Sequence, residues 1–168
     1  LEYKDGPFAI RYPKASSEEF DQNLQAELLS IGSWEVLQNG NDVAILAVGP
    51  MTYLALEAAE ELKKLDISCE IVNCRFIKPM DENYLEFMLE KFSSVLTIEE
   101  GVRSGGFGEG VLSWLSSNNY KGNSSIISLP DKFVEHGPRD LLLEKWGINK
   151  EQIIKTVTSF KSSLKTEF

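Results

Sequence analysis

The sequence is poor in several residue types on which common functional sites depend. It has one histidine and two cysteines, and its 17 Lys and Arg residues stand against 26 Asp and Glu, which gives a formal net charge of −9. A nucleic-acid or anionic-membrane surface needs a concentrated basic face, so this balance predicts no nucleic-acid and no membrane partner. A single histidine cannot build a usual metal site, and we predict no metal bound by this chain itself.

Long apolar runs and leader segments are also lacking. The longest apolar runs, such as residues 43–48, are far shorter than the roughly 20 residues that a bilayer-spanning helix requires. Residues 1–7 have neither the basic start nor the apolar stretch of a signal peptide. The chain does not begin with Met, from which we expect that it was cut from a longer polypeptide.

The two cysteines are not spaced for a disulfide. Cys69 and Cys74 lie in one strand-like run, which separates them by roughly 17 Å and points them to opposite faces. They are expected to be buried thiols of a reducing compartment, and we predict a cytoplasmic protein.

Short β-rich runs alternate with helical periods from residue 34 onward. We predict strands over 34–37, 42–48, 69–74, 94–98 and 125–129. We predict helices over 51–65, 81–91, 110–117 and 138–146, and a last helix that begins at Asn149 and has Ile153, Val157, Phe160 and Leu164 on one face. Asn39-Gly40 is a hairpin signal and predicts an antiparallel edge strand before the first central strand. The predicted fold is α/β: a three-layer, open, mostly parallel sheet with one antiparallel edge strand and helices on both faces.

The first thirty-three residues do not fit this alternation. Residues 8–12 read as a strand with nothing local to pair with, and the polar stretch 16–25 reads as a linker. We predict that residues 1–33 are the tail of a preceding domain plus a linker, and that residues 34–168 form the main domain.

The stretch from Val95 to Gly110 combines a buried strand, two carboxylates, a glycine loop and a helix start. It therefore places acidic side chains at the carboxyl end of a strand, where open α/β sheets keep their sites. The glycines fail the dinucleotide fingerprint, because Val111 stands where a third glycine is needed. We interpret the glycines as allowing a tight passage from strand to helix. They are Gly105, Gly106 and Gly108.

Glu99 and Glu100 are adjacent, so in a continuing strand they face opposite ways and cannot serve as a paired acid and base. One could point into the cleft while the other caps the next helix or pairs with Arg103. A structural or interface role is favoured for both, and no catalytic residue is predicted in this chain.

Two other candidate sites lie outside this stretch. His136 would suit a Ser/His/Asp system, but no Gly-x-Ser-x-Gly elbow is present, and it is interpreted as a loop residue that fixes the helix starting near Arg139. Arg11 and Lys14 are cations at the end of the predicted first strand, where they could hold a phosphate.

Four segments, in this order, resemble the 1-deoxy-D-xylulose-5-phosphate synthase family: residues 5–14, 72–82, 97–101 with 105–108, and 129–137. The strand, acid pair and glycine loop are similar, more loosely, to transketolase and to the β-subunits of 2-oxo-acid dehydrogenases. The Arg-Tyr-Pro segment at 11–13 and the Arg-Phe-Ile-Lys-Pro segment at 75–79 favour the synthase family.

The resemblance implies a homodimeric enzyme that depends on thiamine diphosphate and Mg²⁺. Such an enzyme decarboxylates pyruvate and joins the two-carbon unit to glyceraldehyde 3-phosphate, and its product feeds isoprenoid, thiamine and pyridoxal synthesis. The family's cofactor motif and activating glutamate belong to domains that precede this one. The chain would therefore be the end of the middle domain plus the C-terminal domain, inactive alone, with its acid pair, glycine loop and His136 structural or interfacial.

The resemblance also implies a substrate contact. An arginine that the family associates with the aldehyde phosphate aligns with Lys14, and the glycine after it aligns with Ala15. Lysine keeps the charge but loses the bidentate fork, and Arg11 would share the contact. Two alternatives remain: a 2-oxo-acid dehydrogenase β-type or transketolase domain, and, in another class, a non-catalytic interaction or small-ligand-binding domain.

Overall fold

The structure is a computed structural model, and it describes residues 3–4, 6–13 and 28–164. The strands are β1 (Glu35–Gln38), β2 (Val43–Ala47), β3 (Cys69–Asn73), β4 (Ser94–Val102) and β5 (Asn123–Leu129). The helices are α1 (Met51–Lys63), α2 (Glu82–Lys91), α3 (Phe107–Ser117), α4 (Arg139–Lys145) and α5 (Lys150–Leu164). None of the helices in this described part is long and apolar enough to cross a membrane.

The five strands form one sheet in the order β1-β3-β2-β4-β5. β1 runs antiparallel to β3, and the other neighbours are parallel. One apolar cluster joins the sheet to α1 and α5, and a second joins its other face to α2 and α3. The predicted fold, a mostly parallel sheet with one antiparallel edge strand and helices on both faces, is confirmed.

β2 shows why the centre of the sheet is apolar throughout. All five of its residues are buried, as expected of a parallel strand that is covered on both faces. Ile45 belongs to the cluster with α1 and α5, whereas Leu46 belongs to the cluster with α2 and α3. Cys69 and Cys74 divide in the same way and both are free and buried, so the predicted pair of separate thiols is confirmed.

The predicted hairpin between β1 and β2 is wrong. β1 pairs with β3, with Val36 opposite Val72, and neither Asn39 nor Gly40 has a positive φ. Gly40 instead passes directly over the start of β3, where an added Cβ would lie 2.1 Å from the carbonyl carbon of Cys69. The glycine is thus needed for close approach to another strand, not for a tight turn.

Helix caps follow the sequence closely. Asn149 Oδ1 accepts a hydrogen bond from the backbone nitrogen of Gln152 at 2.9 Å, which confirms the predicted cap of α5. Asp81 accepts in the same way from Tyr84 N at 3.0 Å and begins α2. β4 continues to Val102 and α3 already starts at Phe107, so the glycine loop is shorter than predicted.

The predicted strand over residues 8–12 is not formed. These residues have no regular structure and are exposed. A strand needs a hydrogen-bonded neighbour, and none of the strands in the described part of the chain pairs with this segment. Lys14 and the predicted linker 16–25 lie outside the described residues. The domain boundary after residue 33 stays a prediction.

Candidate functional site

The carboxyl edge of the sheet is the candidate site. The connection that leaves β2 returns as β3 on one side, whereas the next strand, β4, lies on the other side of β2. The ends of β2 and β4 therefore flank a topological switch point, where open α/β sheets bind ligands. Val48 N donates to Ile98 O at 3.0 Å there, so the two strands stay paired up to the edge.

Glu99 fills the position at which a ligand of this edge would be expected. Its side chain is buried, with 3% of the residue exposed. Its carboxylate accepts hydrogen bonds from the backbone nitrogens of Phe107 at 3.0 Å and Gly108 at 2.8 Å. These belong to the first turn of α3, where N–H groups have no partner within the helix. The negative charge also matches the positive end of the helix dipole.

The glycines around Glu99 make room for its carboxylate. A Cβ on Gly101 would lie 2.3 Å from Glu99 Oε2, and one on Gly106 would lie 2.7 Å from Oε1. Gly105 has a φ of 73°, a conformation that other residues rarely adopt. The glycine-rich sequence thus holds an internal carboxylate, and the amides that could bind a phosphate at α3 are already occupied.

Gly108 serves the packing of α3 on the sheet. An added Cβ would lie 2.5 Å from Thr97 Oγ1 and 2.8 Å from Ile126 Cγ2. α3 therefore contacts β4 and β5 at backbone distance, and the second glycine of the Gly-x-Gly pair is needed for that approach.

Glu100 points away from Glu99, as its adjacent position predicts. It is half-buried and forms an ion pair with Arg139 at the start of α4. The predicted alternative, pairing with Arg103, is wrong: Arg103 is exposed, and its backbone nitrogen donates to Leu129 O at 2.9 Å. The pair joins the end of β4 to the first residue of α4.

Two residues of the β5–α4 loop, residues 130–138, contact the end of α4 and the residue that follows it. Lys132 Nζ lies 4.8 Å from the ring centroid of Trp146, and Glu135 pairs with Lys145. His136 is exposed and has no hydrogen bond or ion pair within the described part of the chain, so its structural role stays a prediction.

Trp34 connects the β3–α2 loop to the start of α3. The sequence does not predict this role. Its indole Nε1 donates to Phe76 O at 2.8 Å, and its backbone nitrogen donates to Asp81 Oδ2 at 2.8 Å. Its ring contacts Phe107 edge-on, with centroids 5.6 Å apart. The β3–α2 loop is thereby tied to the first turn of α3. The only hint in the sequence is a tryptophan directly before the first strand.

A second buried carboxylate lies toward the opposite edge. Glu70 in β3 has 1% of its surface exposed and accepts from Tyr84 Oη at 2.8 Å and Lys91 Nζ at 2.6 Å. Burial, with the hydrogen bond to Glu70, raises the pKa of the Tyr84 phenol, which stays a donor. This network joins β3 to α2.

The chemistry available at the carboxyl edge is therefore limited. Both carboxylates of the acid pair are committed to internal partners, one to a helix N-terminus and one to Arg139. Within residues 3–4, 6–13 and 28–164, no group of three or more His, Cys, Asp or Glu side chains could hold a metal ion. Of the two predicted phosphate contacts, Arg11 is exposed and Lys14 is outside the described residues.

Comparison with known proteins gives consistent matches. The profile of the transketolase C-terminal domain family matches residues 32–153. The 1-deoxy-D-xylulose-5-phosphate synthases of Bacillus cereus strain AH187 and of Bacillus anthracis are each 41% identical over 160 residues, which is 94% of this chain. The chain spans only 25% of the length of these relatives.

A solved structure agrees in fold. It is described as a split-gene transketolase, an inactive beta4 tetramer, and it matches with a TM-score of 0.72 and 34% identity over 78% of this chain and 43% of that one. The resemblance that the four segments indicate is confirmed. The chain belongs to the transketolase C-terminal domain family.

Proposed function

We propose that this chain is the C-terminal part of a thiamine-diphosphate-dependent transferase of the 1-deoxy-D-xylulose-5-phosphate synthase type. The parent enzyme would decarboxylate pyruvate and join the two-carbon unit to glyceraldehyde 3-phosphate, supplying isoprenoid, thiamine and pyridoxal synthesis in the cytoplasm. The single observation that carries the proposal is the 41% identity to synthases over 94% of the chain. The four segments in their order support it.

Within that enzyme this part supports assembly of a homodimer and carries no catalytic residue. Glu99 is enclosed by glycines and by α3, and Glu100 is paired, so neither is free to move a proton. The described residues do not fit the cofactor: the amides at the start of α3 already hold a carboxylate, and a metal-ligating cluster is absent from this part of the chain. Thiamine diphosphate and Mg²⁺ would be bound by the rest of the polypeptide.

Lys14 and Arg11 would hold the phosphate of the aldehyde substrate. Both are cations flanking the Tyr12-Pro13 pair, and a phosphate favours charge-assisted donors. In the parent enzyme, Lys14→Met and Arg11→Met should each raise the KM for glyceraldehyde 3-phosphate and leave the KM for pyruvate unchanged. An unchanged KM for the aldehyde in both variants would exclude the contact.

A domain exchange tests the proposed function. The matching quarter of the Bacillus cereus synthase is replaced by this chain, and CO₂ release and product formation from the two substrates are measured. We expect activity in the chimera and none in a synthase that lacks the region. A chimera that dimerises but makes no product would contradict the synthase assignment, as would binding of thiamine diphosphate to the isolated chain in calorimetry.

The second candidate is a transketolase-type parent, which the match to the split-gene transketolase structure favours. The two candidates differ in the donor substrate. A synthase-type parent releases CO₂ from pyruvate, whereas a transketolase-type parent transfers a ketol unit from a ketose without CO₂ release. The same assays with a ketose donor distinguish them.

A further inference from the structure

α2 is packed on the sheet by few buried side chains. Its fully buried residues are Leu85 and Met88, whereas α1 contributes six buried residues and α3 contributes four. α2 is also only 10 residues long, and an isolated helix of that length is marginal in water. Burial therefore contributes less to the stability of α2 than to that of α1 or α3.

The charges of α2 do not favour the helix. Glu82, Glu86 and Glu90 are exposed and four residues apart, so neighbouring carboxylates repel one another along one side of the helix. Glu90 also lies in the last turn, where a negative charge opposes the helix dipole. Lys91 is the only basic residue of α2, and it pairs with Glu70 of β3. The helix thus depends on a contact outside itself.

Glu70 contacts both ends of α2. Tyr84 Oη, in the first turn, donates to Glu70 Oε1 at 2.8 Å, and Lys91 Nζ, at the last residue, donates to Oε2 at 2.6 Å. Lys91 Nζ also lies 4.7 Å from the ring centroid of Phe92, which follows the helix. Glu70 is 1% exposed, and hydrogen bonds to a buried charge are stronger than those in water. One buried carboxylate therefore holds the helix at its start and at its end.

Movement of α2 away from the sheet would hydrate these groups and uncover one thiol. The charges of Glu70 and Lys91 regain water when the helix leaves, and this hydration offsets much of the lost ion-pair energy. Cys74 is buried in the apolar cluster with α2 and α3, whereas Cys69 is buried in the cluster with α1 and α5. Opening of α2 would therefore expose Cys74 and leave Cys69 covered.

Asp81 links α2 to the β3–α2 loop at the carboxyl edge. Its Oδ1 accepts from Tyr84 N at 3.0 Å and its Oδ2 accepts from Trp34 N at 2.8 Å. The ring of Tyr84 also contacts that of Trp34, with centroids 5.9 Å apart. Loss of the helix cap would release these contacts, and the loop would keep the bond from Trp34 Nε1 to Phe76 O.

We propose that α2 is a lid over one face of the sheet that opens independently of the other helices, and that Glu70 holds it closed through Tyr84 and Lys91. Opening releases the end of the β3–α2 loop that Asp81 attaches, so the state of α2 sets the mobility of this loop. The inference concerns a motion within the domain and does not depend on the reaction of the parent enzyme.

The test is hydrogen exchange of the full-length parent enzyme, followed by mass spectrometry of its peptides. Exchange in residues 82–91 is compared with exchange in β2 at several urea concentrations below the unfolding transition. Alkylation of Cys74 and Cys69 in the same urea solutions is the second readout. The variants are Lys91→Met and Tyr84→Phe. Lys64→Met, which breaks an exposed ion pair of α1, is the matched control.

We expect α2 in the wild type to exchange at least about a hundredfold faster than β2. Its exchange should depend less on urea, because a local opening exposes less surface than global unfolding. Cys74 should be alkylated before Cys69. Lys91→Met should speed exchange in α2 by at least about thirtyfold and Tyr84→Phe by less, whereas Lys64→Met should have no effect.

Equal protection and equal urea dependence of α2 and β2 in the wild type would overturn the proposal, since the domain would then open as a single unit. That result requires no variant to fold. Unchanged exchange of α2 in both Lys91→Met and Tyr84→Phe would overturn the role of Glu70. Neither readout uses turnover, so a parent enzyme that makes no product would contradict the synthase assignment and leave the lid unaffected.

Discussion

Glu99 Oε1 lies 2.8 Å from the backbone nitrogen of Gly108, which joins the end of β4 to the first turn of α3. The acid that stands out in the sequence as a catalytic candidate therefore lies inside the fold. Its negative charge is balanced by a helix terminus rather than offered to a substrate.

We expect Glu99→Gln to destabilise the chain by about 1–3 kcal/mol. An amide provides one acceptor where the carboxylate provides two, and it leaves a buried helix N–H facing an NH₂ group. The measurement is the free energy of unfolding in urea. Glu100→Gln is the control: its pair with Arg139 is partly exposed, so a loss below about 1 kcal/mol is expected. Equal losses in the two variants would contradict the capping role.

The two glycines of α3 should respond in opposite ways to alanine. Gly108→Ala places a methyl group 2.5 Å from Thr97 Oγ1, and overpacking of this kind costs about 1–3 kcal/mol. Gly110 has nothing within 4 Å of an added Cβ, so Gly110→Ala should stabilise the helix by about 0.5–1 kcal/mol. The two midpoints of thermal unfolding should move in opposite directions. A shift of the same sign in both would mean that helix propensity, not contact with the sheet, decides the effect.

Removing the partner of the buried Glu70 should be costly. Lys91→Met leaves a carboxylate that is 1% exposed without its cation, and we expect a loss of about 2–4 kcal/mol in unfolding free energy. Adding Glu70→Gln to this variant should recover part of the loss, since the unpaired charge is then gone. Lys64→Met, which breaks the exposed pair with Glu61, is the control and should have no measurable effect. A Lys91→Met protein as stable as the wild type would show that Glu70 is not held as a charged group.

Both thiols should be inert in the folded chain. Burial raises the pKa of Cys69 from an ordinary value near 9 to about 12, and it raises the pKa of Cys74 well above its usual range. We expect no labelling by a disulfide reagent at pH 8 in the native state and two thiols labelled per chain in urea. Rapid labelling of the folded protein would contradict this burial.

The same thiols give a direction for the pH dependence of stability. Unfolding lets each thiol ionise at its ordinary pKa, so above that value the unfolded state binds fewer protons than the folded state. The contribution of Cys69 is complete below about pH 9 and is lost as pH rises toward 12. Replacing Cys69 with Ala should reduce the slope of stability against pH in this range.

The order of strands and helices could be predicted from the sequence because apolar periodicity and caps are local. Asn149 and Gln152 are three residues apart, and their predicted hydrogen bond is present. The pairing of β1 could not be predicted in this way. Asn39-Gly40 satisfies a hairpin rule, but β1 pairs with β3, whose residues lie 33 to 38 positions further along the chain, and Gly40 must pass over the start of β3. The residues of the turn do not indicate which strand β1 pairs with.

In the candidate site, too, contacts between residues that are near in sequence could be predicted, whereas contacts between distant residues could not. Glu99 and the glycines are close in sequence, so a helix cap at the end of β4 could be considered in advance. Arg139 is 39 residues from Glu100, and the nearer Arg103 was the natural alternative. The two hydrogen bonds of Trp34 and its ring contact with Phe107 all reach segments more than 40 residues away, and no pattern around it indicates them.

The contacts of Trp34 also bear on where this unit can be separated from its neighbours or exchanged between enzymes. A cut at Glu35, where the first strand begins, would remove the indole that fastens the β3–α2 loop and the carbonyl of Ser33 that holds Arg75. A domain cut there would keep every strand and helix but lose the contacts that Trp34 and Ser33 make with the β3–α2 loop. A domain that is cut before Gly32 keeps these contacts. The unit that can be exchanged between enzymes is therefore longer than its strands and helices alone suggest.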